Sequence, residues 1–150
     1  MHGRDISTMS AIPLDYPQAK ILMIEDSPSD VFLFRMMLEE EDFAPDENAK
    51  HYKITDVSRL TDAFKLLRGE EFDLIILDMN LPDIHGVASV GVIRAEAPDT
   101  PLIVYSGMDS TALKREALAN GASRYLVKGV ENIRDVKKFI DDALCGVTDH

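Results

Sequence analysis

Leu74-Ile75-Ile76-Leu77 runs straight into Asp78. A carboxylate at the end of a buried run is costly unless it meets solvent or a partner. The pattern recurs along the chain. Ile21-Leu22-Met23-Ile24 leads into Glu25-Asp26, Leu102-Ile103-Val104-Tyr105 into Ser106-Gly107, and Tyr125-Leu126-Val127 into Lys128. Acids, a hydroxyl and an ammonium thus each follow an apolar segment. Brought together, Glu25, Asp26 and Asp78 would repel one another unless a cation offset them. A hard cation such as Mg²⁺ suits that need, taking one or two carboxylates, waters and a phosphate oxygen. A carboxylate can also attack phosphorus, giving an aspartyl phosphate. Phosphoryl transfer asks chiefly for alignment and charge neutralisation. Lys128 can neutralise one phosphate oxygen and Ser106 can hydrogen-bond another. Asp78, after the longest apolar strand, is the candidate nucleophile.

These groups converge only if the apolar runs are neighbouring parallel strands. The chain alternates strand-like and helix-like patterns. Strands are expected near Lys20–Glu25, Tyr52–Val57, Phe72–Leu77, Leu102–Tyr105 and Tyr125–Val127. The second alternates like a half-exposed edge strand, and the third is continuously apolar like a central one. Ser27-Pro28-Ser29 offers cap chemistry for a first helix that buries Val31, Phe34 and Leu38. Leu60, Ala63, Phe64 and Leu67 recur at helical spacing before Gly69. A weaker helix follows over Val87–Ala97, and another, capped by Asp109 or Ser110, runs through Asn120 to Gly121. A last one, near Asn132–Leu144, is expected to bury Ile133, Val136, Ile140 and Ala143. The Phe32, Phe34, Met36 and Met37 group reads as core rather than as a binding face. Asp42–Lys50, with Pro45, reads as an exposed loop. Five βα units imply a parallel sheet with right-handed crossovers and helices on both faces. Ligands on such sheets bind beyond the strand carboxyl ends, which is where the five groups lie.

Composition narrows the class. At 150 residues the chain is most simply one domain. Its net charge of -11 argues against a nucleic-acid partner. Cys145 is the sole cysteine, which excludes an intrachain disulfide and a cysteine metal cluster and suits a reducing, cytoplasmic setting. No apolar stretch approaches membrane-spanning length. Residues Met1–Gln18 lack the apolar core of a secretory signal.

Glu25-Asp26, Leu77-Asp78-Met79-Asn80-Leu81-Pro82-Asp83 with Gly86, Ser106-Gly107, and Tyr125-Leu126-Val127-Lys128 together resemble two-component response-regulator receiver domains. The resemblance runs from about Lys20 to Leu144. It implies a flavodoxin-like (βα)5 fold, α/β with a doubly wound parallel sheet in the order 2-1-3-4-5; that order in a receiver protein is a standard example. It divides the chain into a flexible extension (1–19), a receiver domain (20–146) and a tail (147–150). It implies that Asp78 accepts a phosphoryl group from a sensor histidine kinase or phosphotransfer protein. Asp26 would bind Mg²⁺ directly, Glu25 through water, and Asn80 through its backbone carbonyl. Ser106 would be the switch hydroxyl. Tyr125 would be the rotating aromatic that reports phosphorylation to an effector on the face formed by the fourth helix, fifth strand and fifth helix, which is also open to pairing with a second copy. The protein would turn over nothing but its own phosphoryl group. Two departures stand out. Gly129 replaces the proline that receivers usually carry after the lysine, and Met108, just past the switch hydroxyl, is placed to influence water access.

Taken singly, each residue has a bland explanation: Glu25-Asp26 as a solvated loop, Asp78 as a cap, Lys128 as a surface charge, Ser106 as a turn residue, Tyr125 as a core aromatic. His85 reads as an exposed loop histidine and Cys145 as a late helix residue. Three further functions compete with the switch. A haloacid-dehalogenase-like phosphatase would want an acid two residues after the nucleophile, where Asn80 stands. A binding-only pseudo-receiver would not keep the full acid, hydroxyl and lysine set. A receiver excised from a larger multidomain regulator would share every residue of the site. The chain stops soon after the last helix, from which an output through protein contacts, without a DNA-binding module, is expected.

Overall fold

The computed structural model describes residues 18–39 and 51–146. The extension and tail expected at the ends, and the loop expected at Asp42–Lys50, lie outside the described residues except for Gln18 and Ala19. The elements alternate: β1 (Gln18–Ile24), α1 (Pro28–Glu39), β2 (His51–Val57), α2 (Leu60–Gly69), β3 (Leu74–Leu77), α3 (Ala88–Glu96), β4 (Leu102–Ser106), α4 (Thr111–Ala119), β5 (Arg124–Val127) and α5 (Ile133–Leu144). The strands form one parallel sheet in the order β2-β1-β3-β4-β5. This is the expected (βα)5 fold. Pro28 takes the first position of α1, where its missing N–H costs nothing. Ser110 caps α4 by accepting from the Leu113 amide, and Asn132 caps α5 by accepting from that of Arg134.

Side-chain alternation splits the interior into two cores. Leu22, Ile24, Ile75, Leu77, Val104 and Val127 pack with Leu60, Ala63, Val90, Ile93 and Ala117 of α2, α3 and α4. Ile21, Met23, Leu74, Ile76, Ile103 and Leu126 pack with Val31, Phe34 and Leu38 of α1 and Val136 and Ile140 of α5. β1 and β3 are buried on both faces, which explains why their sequences are continuous apolar runs rather than alternating ones.

The same parity decides where the polar groups emerge. Glu25 follows Ile24 and shares the parity of Met23. Lys128 shares that of Leu126. Both therefore leave the sheet on the α1–α5 side. Two apolar expectations fail. Phe32 is 62% exposed and Met36 47%, with Leu33 beside them at 61%; of the expected aromatic and methionine group, Phe34 is buried and Met37 partly so. The buried stripe of α1 is the 3–4 spacing of Val31, Phe34 and Leu38, and these others fall off it. Ile133 is likewise 66% exposed, because it opens α5 at the sheet's carboxyl edge, beyond the reach of the core. Ala143 is partly buried.

Candidate functional site

The strand ends bring the acids together. Carboxylate oxygens of Glu25, Asp26 and Asp78 lie within 4.8 Å of one another, with Glu25 and Asp78 buried and Asp26 exposed. Asp78 follows β3, and its amide donates to the Ile24 carbonyl at 3.0 Å, pinning it beside the end of β1. Its Oδ1 accepts from the Asn80 amide at 3.3 Å. The loop past Asp78 folds back on itself: the Gly86 amide donates to the Met79 carbonyl at 2.8 Å, and Asn80 bridges to His85. His85 is exposed and its Nδ1 lies 3.1 Å from Asn80 Oδ1. Asp83 anchors the far side of the loop, accepting from the Leu60 and Thr61 amides at 3.1 Å each. It caps α2 from a distance, since Arg59 at the N-cap offers no side-chain bond.

Lys128 reaches into this cluster. Its Nζ donates to Glu25 Oε1 at 2.6 Å and to Asp30 Oδ2 at 2.9 Å, and stands 3.9 Å from Asp78 Oδ2. Gly129 follows with φ 81°. That left-handed turn favours glycine over any side chain, and the Val130 and Glu131 amides close it onto the Val127 carbonyl. The described residues contain no cis peptide bond. Glycine thus makes the turn for which receivers ordinarily use proline.

Ser106 is buried at the end of β4, where the Lys128 amide donates to its carbonyl. Its Oγ accepts from the Met108 amide at 3.1 Å. The Tyr125 hydroxyl donates to the Met108 carbonyl at 2.7 Å, with its ring buried in the core. One residue's backbone therefore touches both the expected switch hydroxyl and the expected switch aromatic.

Burial raises the Glu25 pKa from 4.5 to about 7, against the opposing Lys128 hydrogen bond and with help from the Asp78 charge. Burial pulls Lys128 down, but its bonds to Glu25 and Asp30 outweigh this and hold the ammonium above its ordinary value. The two directions agree: several carboxylates meet one ammonium, so the cation is over-served and Glu25 under-served. Burial is the largest single influence on Asp83 and raises it, but the hydrogen bonds it accepts, led by those from the Leu60 and Thr61 amides, together outweigh burial and lower its pKa.

The Glu25 shift gives a pH prediction. Its folded pKa exceeds its unfolded one, so the folded state holds the extra proton between 4.5 and about 7. Stability is highest below that window and falls as pH rises through it, by at most about 3 kcal/mol. Asp83 acts oppositely and lower, losing its contribution only as pH falls below 3.8. The Mg²⁺-free protein should melt lower at neutral pH than near pH 5. Mg²⁺, or Glu25→Gln, should flatten that slope. A slope unchanged by either would show that Glu25 is not its source.

The oxygen donors fit a hard cation: grouped carboxylates, two of them buried, with too little positive charge to satisfy Glu25. Of the expected residues, the structure groups Glu25, Asp26, Asp78 and Lys128, holds Asn80 by its amide to Asp78, and sets Ser106 on β4 and Tyr125 on β5 around Met108. Asp30 went unread in the sequence. Its signal was an acid in the first turn of the helix that follows a site-bearing strand.

The family model described as the response regulator receiver domain matches residues 21–140, and the chain belongs to that family of two-component signalling proteins. It is 32% identical over 111 residues to the transcriptional regulatory protein KdpE of Staphylococcus aureus, covering 74% of this chain and 44% of that protein. The chain thus spans under half the length of the curated relatives it matches. Among solved structures, the signal receiver domain of a LuxO repressor protein from Vibrio parahaemolyticus superposes with TM-score 0.73 at 25% identity, covering 87% of this chain and 93% of that one. The receiver domain of the sensor histidine kinase PA1611 from Pseudomonas aeruginosa, solved with magnesium in its active-site cleft, gives 0.70 at 21% identity, with coverages of 86% and 99%. No described helix is long and apolar enough to cross a membrane.

Proposed function

We propose that this receiver domain is a phosphorylation switch that accepts a phosphoryl group on Asp78 from a histidine-based donor, a sensor kinase or phosphotransfer protein. The carrying observation is the buried Asp78 carboxylate, grouped with Glu25 and Asp26 and flanked by the Lys128 ammonium. An Asp78 oxygen attacks phosphorus, the N–P bond of the phosphohistidine breaks, and its electron pair stays on the imidazole. The aspartyl phosphate that results carries more negative charge than the carboxylate did. Lys128 and the Ser106 hydroxyl are the groups placed to meet the new oxygens. Asp26 and Asp78, with the Asn80 carbonyl and Glu25 through water, would hold Mg²⁺, which supplies charge neutralisation; PA1611's receiver carries magnesium in its cleft.

Recruitment of Ser106 Oγ to the phosphoryl group would loosen its bond to the Met108 amide. The Met108 carbonyl holds the Tyr125 hydroxyl, so the shift reaches Tyr125 and the α4–β5–α5 face, the proposed effector surface. The donor would dock on the adjoining α1–α5 side. Exposed Leu33 and Met36 of α1 and Ile133 of α5 line a groove of about 500 Å³ that runs to Asp30, Lys128 and Gly129, suiting an amphipathic helix that carries the phosphohistidine. Acetyl phosphate with Mg²⁺ bypasses that docking and tests the site alone. Intact-mass spectrometry should show one added phosphoryl group, lost with EDTA. No added mass in Mg²⁺ would overturn the reading.

A further inference from the structure

Lys128 is the cation available to a phosphoryl group on Asp78, yet its hydrogen bonds go elsewhere. Two are made, to Glu25 Oε1 at 2.6 Å and to Asp30 Oδ2 at 2.9 Å, whereas Asp78 Oδ2 at 3.9 Å is beyond hydrogen-bond reach. Glu25 belongs to the acidic cluster. Asp30 does not: it sits on the first turn of α1, outside the group of carboxylates that lie within 4.8 Å of one another. Its backbone N–H donates a hydrogen bond to Ser27 Oγ at 3.3 Å, and Pro28 stands two residues before. Lys128 and Asp78 carry the parity of Leu126 and Ile76 and so emerge on the same α1–α5 side, where the first turn of α1 also reaches and takes one of the ammonium's hydrogen bonds. The Tyr105 ring flanks the same ammonium, 6.0 Å from its centroid.

We propose that Asp30 is a positioning residue that holds the Lys128 ammonium off the free Asp78 carboxylate and competes with phosphoryl oxygens for it. This rests on Asp78 being the phosphoacceptor. An ammonium has three N–H donors. With two committed, and the side chain drawn toward α1, phosphorylation requires Lys128 to swing from Asp30 to the phosphoryl group. Asp30 therefore sets how readily the domain becomes phosphorylated and how firmly it holds the group. The ion pair is suited to exchange: the Asp30 side chain is 34% exposed, so water can take over its carboxylate when the lysine leaves. Glu25, at 2%, has no such outlet.

The test uses Asp30→Asn, which keeps size and removes the charge, with Asp30→Glu as the conservative control. With acetyl phosphate and Mg²⁺, Asp30→Asn should raise the phosphorylated fraction at limiting donor roughly 1.5- to fivefold, the range expected of releasing one partly exposed ion pair. Asp30→Glu should move back toward the parent value. Asp30→Asn labelling no better than the parent overturns the latch while leaving Asp78 as acceptor. A second arm needs no phosphorylation. In ¹⁵N NMR the Lys128 ammonium protons should exchange with water several-fold faster in Asp30→Asn than in the parent. Unchanged exchange overturns the latch by itself. Faster exchange in a protein that never labels would uphold the Asp30 hold on Lys128 and instead remove the phosphoacceptor reading. A helix-stabilising role for Asp30 alone would lower the melting temperature of Asp30→Asn and move neither readout.

Discussion

Asp78→Asn should abolish labelling by acetyl phosphate and at the same time make the protein more stable. The loss follows from chemistry: an amide oxygen is a far weaker nucleophile than a carboxylate, and no neighbouring acid is as well placed. Glu25 is spent on Lys128 and the Ser27 amide, and Asp26 is exposed, one residue further from β1. The gain follows from electrostatics. Glu25, Asp26 and Asp78 crowd within 4.8 Å, and the Glu25 pKa, raised chiefly by burial, is pushed further up by the Asp78 charge. Asparagine fills the same space, and its side-chain oxygen can still accept from the Asn80 amide. Removing one like charge should add about 1–2 kcal/mol in Mg²⁺-free buffer, a rise of a few degrees in melting temperature for a domain of this size. Mg²⁺ should stabilise the parent more than the variant, since one ligand has gone. Undiminished labelling of Asp78→Asn would move the acceptor elsewhere. A melting temperature that fell would mean that Lys128 stabilises Asp78 more than its fellow acids repel it.

Why function and stability oppose each other here also explains what the sequence disclosed. The chain order of apolar runs and the polar residue ending each was enough to read five βα units and a parallel sheet, because burial on both faces forces β1 and β3 to be continuously apolar; the strand order 2-1-3-4-5 followed only from the resemblance to receiver domains. The same rule placed Glu25, Asp78, Ser106 and Lys128 at one edge. Pattern alone does not show which side of that edge each side chain takes, nor what it meets there. Asp30 escaped notice because a first-turn acid has an ordinary use at a helix N-terminus. Its encounter with Lys128 depends on a lysine 98 residues away leaving β5 toward α1. Phe32, Leu33 and Met36 escape a reading by residue type for a related reason. Apolar type suggests burial, but the 3.6-residue period gives α1 one buried stripe, already filled by Val31, Phe34 and Leu38. What is left over forms a surface. Gly129 departs from the family's proline, and only its φ of 81° shows the turn to be one that glycine makes unaided.

Lys128→Met should cost about 10²- to 10³-fold in the rate of phosphorylation, the loss typical when one donor aimed at developing charge is removed. Methionine keeps much of the buried stem, so the effect isolates the ammonium. Stability should respond in a pH-dependent way. Without the lysine, the bond that restrained the Glu25 shift is gone, and its pKa should climb beyond the present value of about 7. A buried pair broken on one side can cost about 3–5 kcal/mol, but Glu25 can escape by keeping its proton. Near pH 5.5, well below that pKa, Lys128→Met should therefore melt close to the parent. Toward pH 8 it should fall well behind, because the carboxyl must then either ionise unpaired or hold its proton against the solvent. Lys128→Arg separates charge from placement. Its guanidinium can pair with Glu25 and Asp30 and recover the stability. Being a rigid planar fork, it should not deliver a single donor to the phosphoryl oxygen as the flexible ammonium does, so the rate should stay low. Equal recovery of rate and stability by arginine would show that only the charge at this position matters, and that the geometry by which Lys128 is shared between Glu25, Asp30 and Asp78 has no part in the transfer.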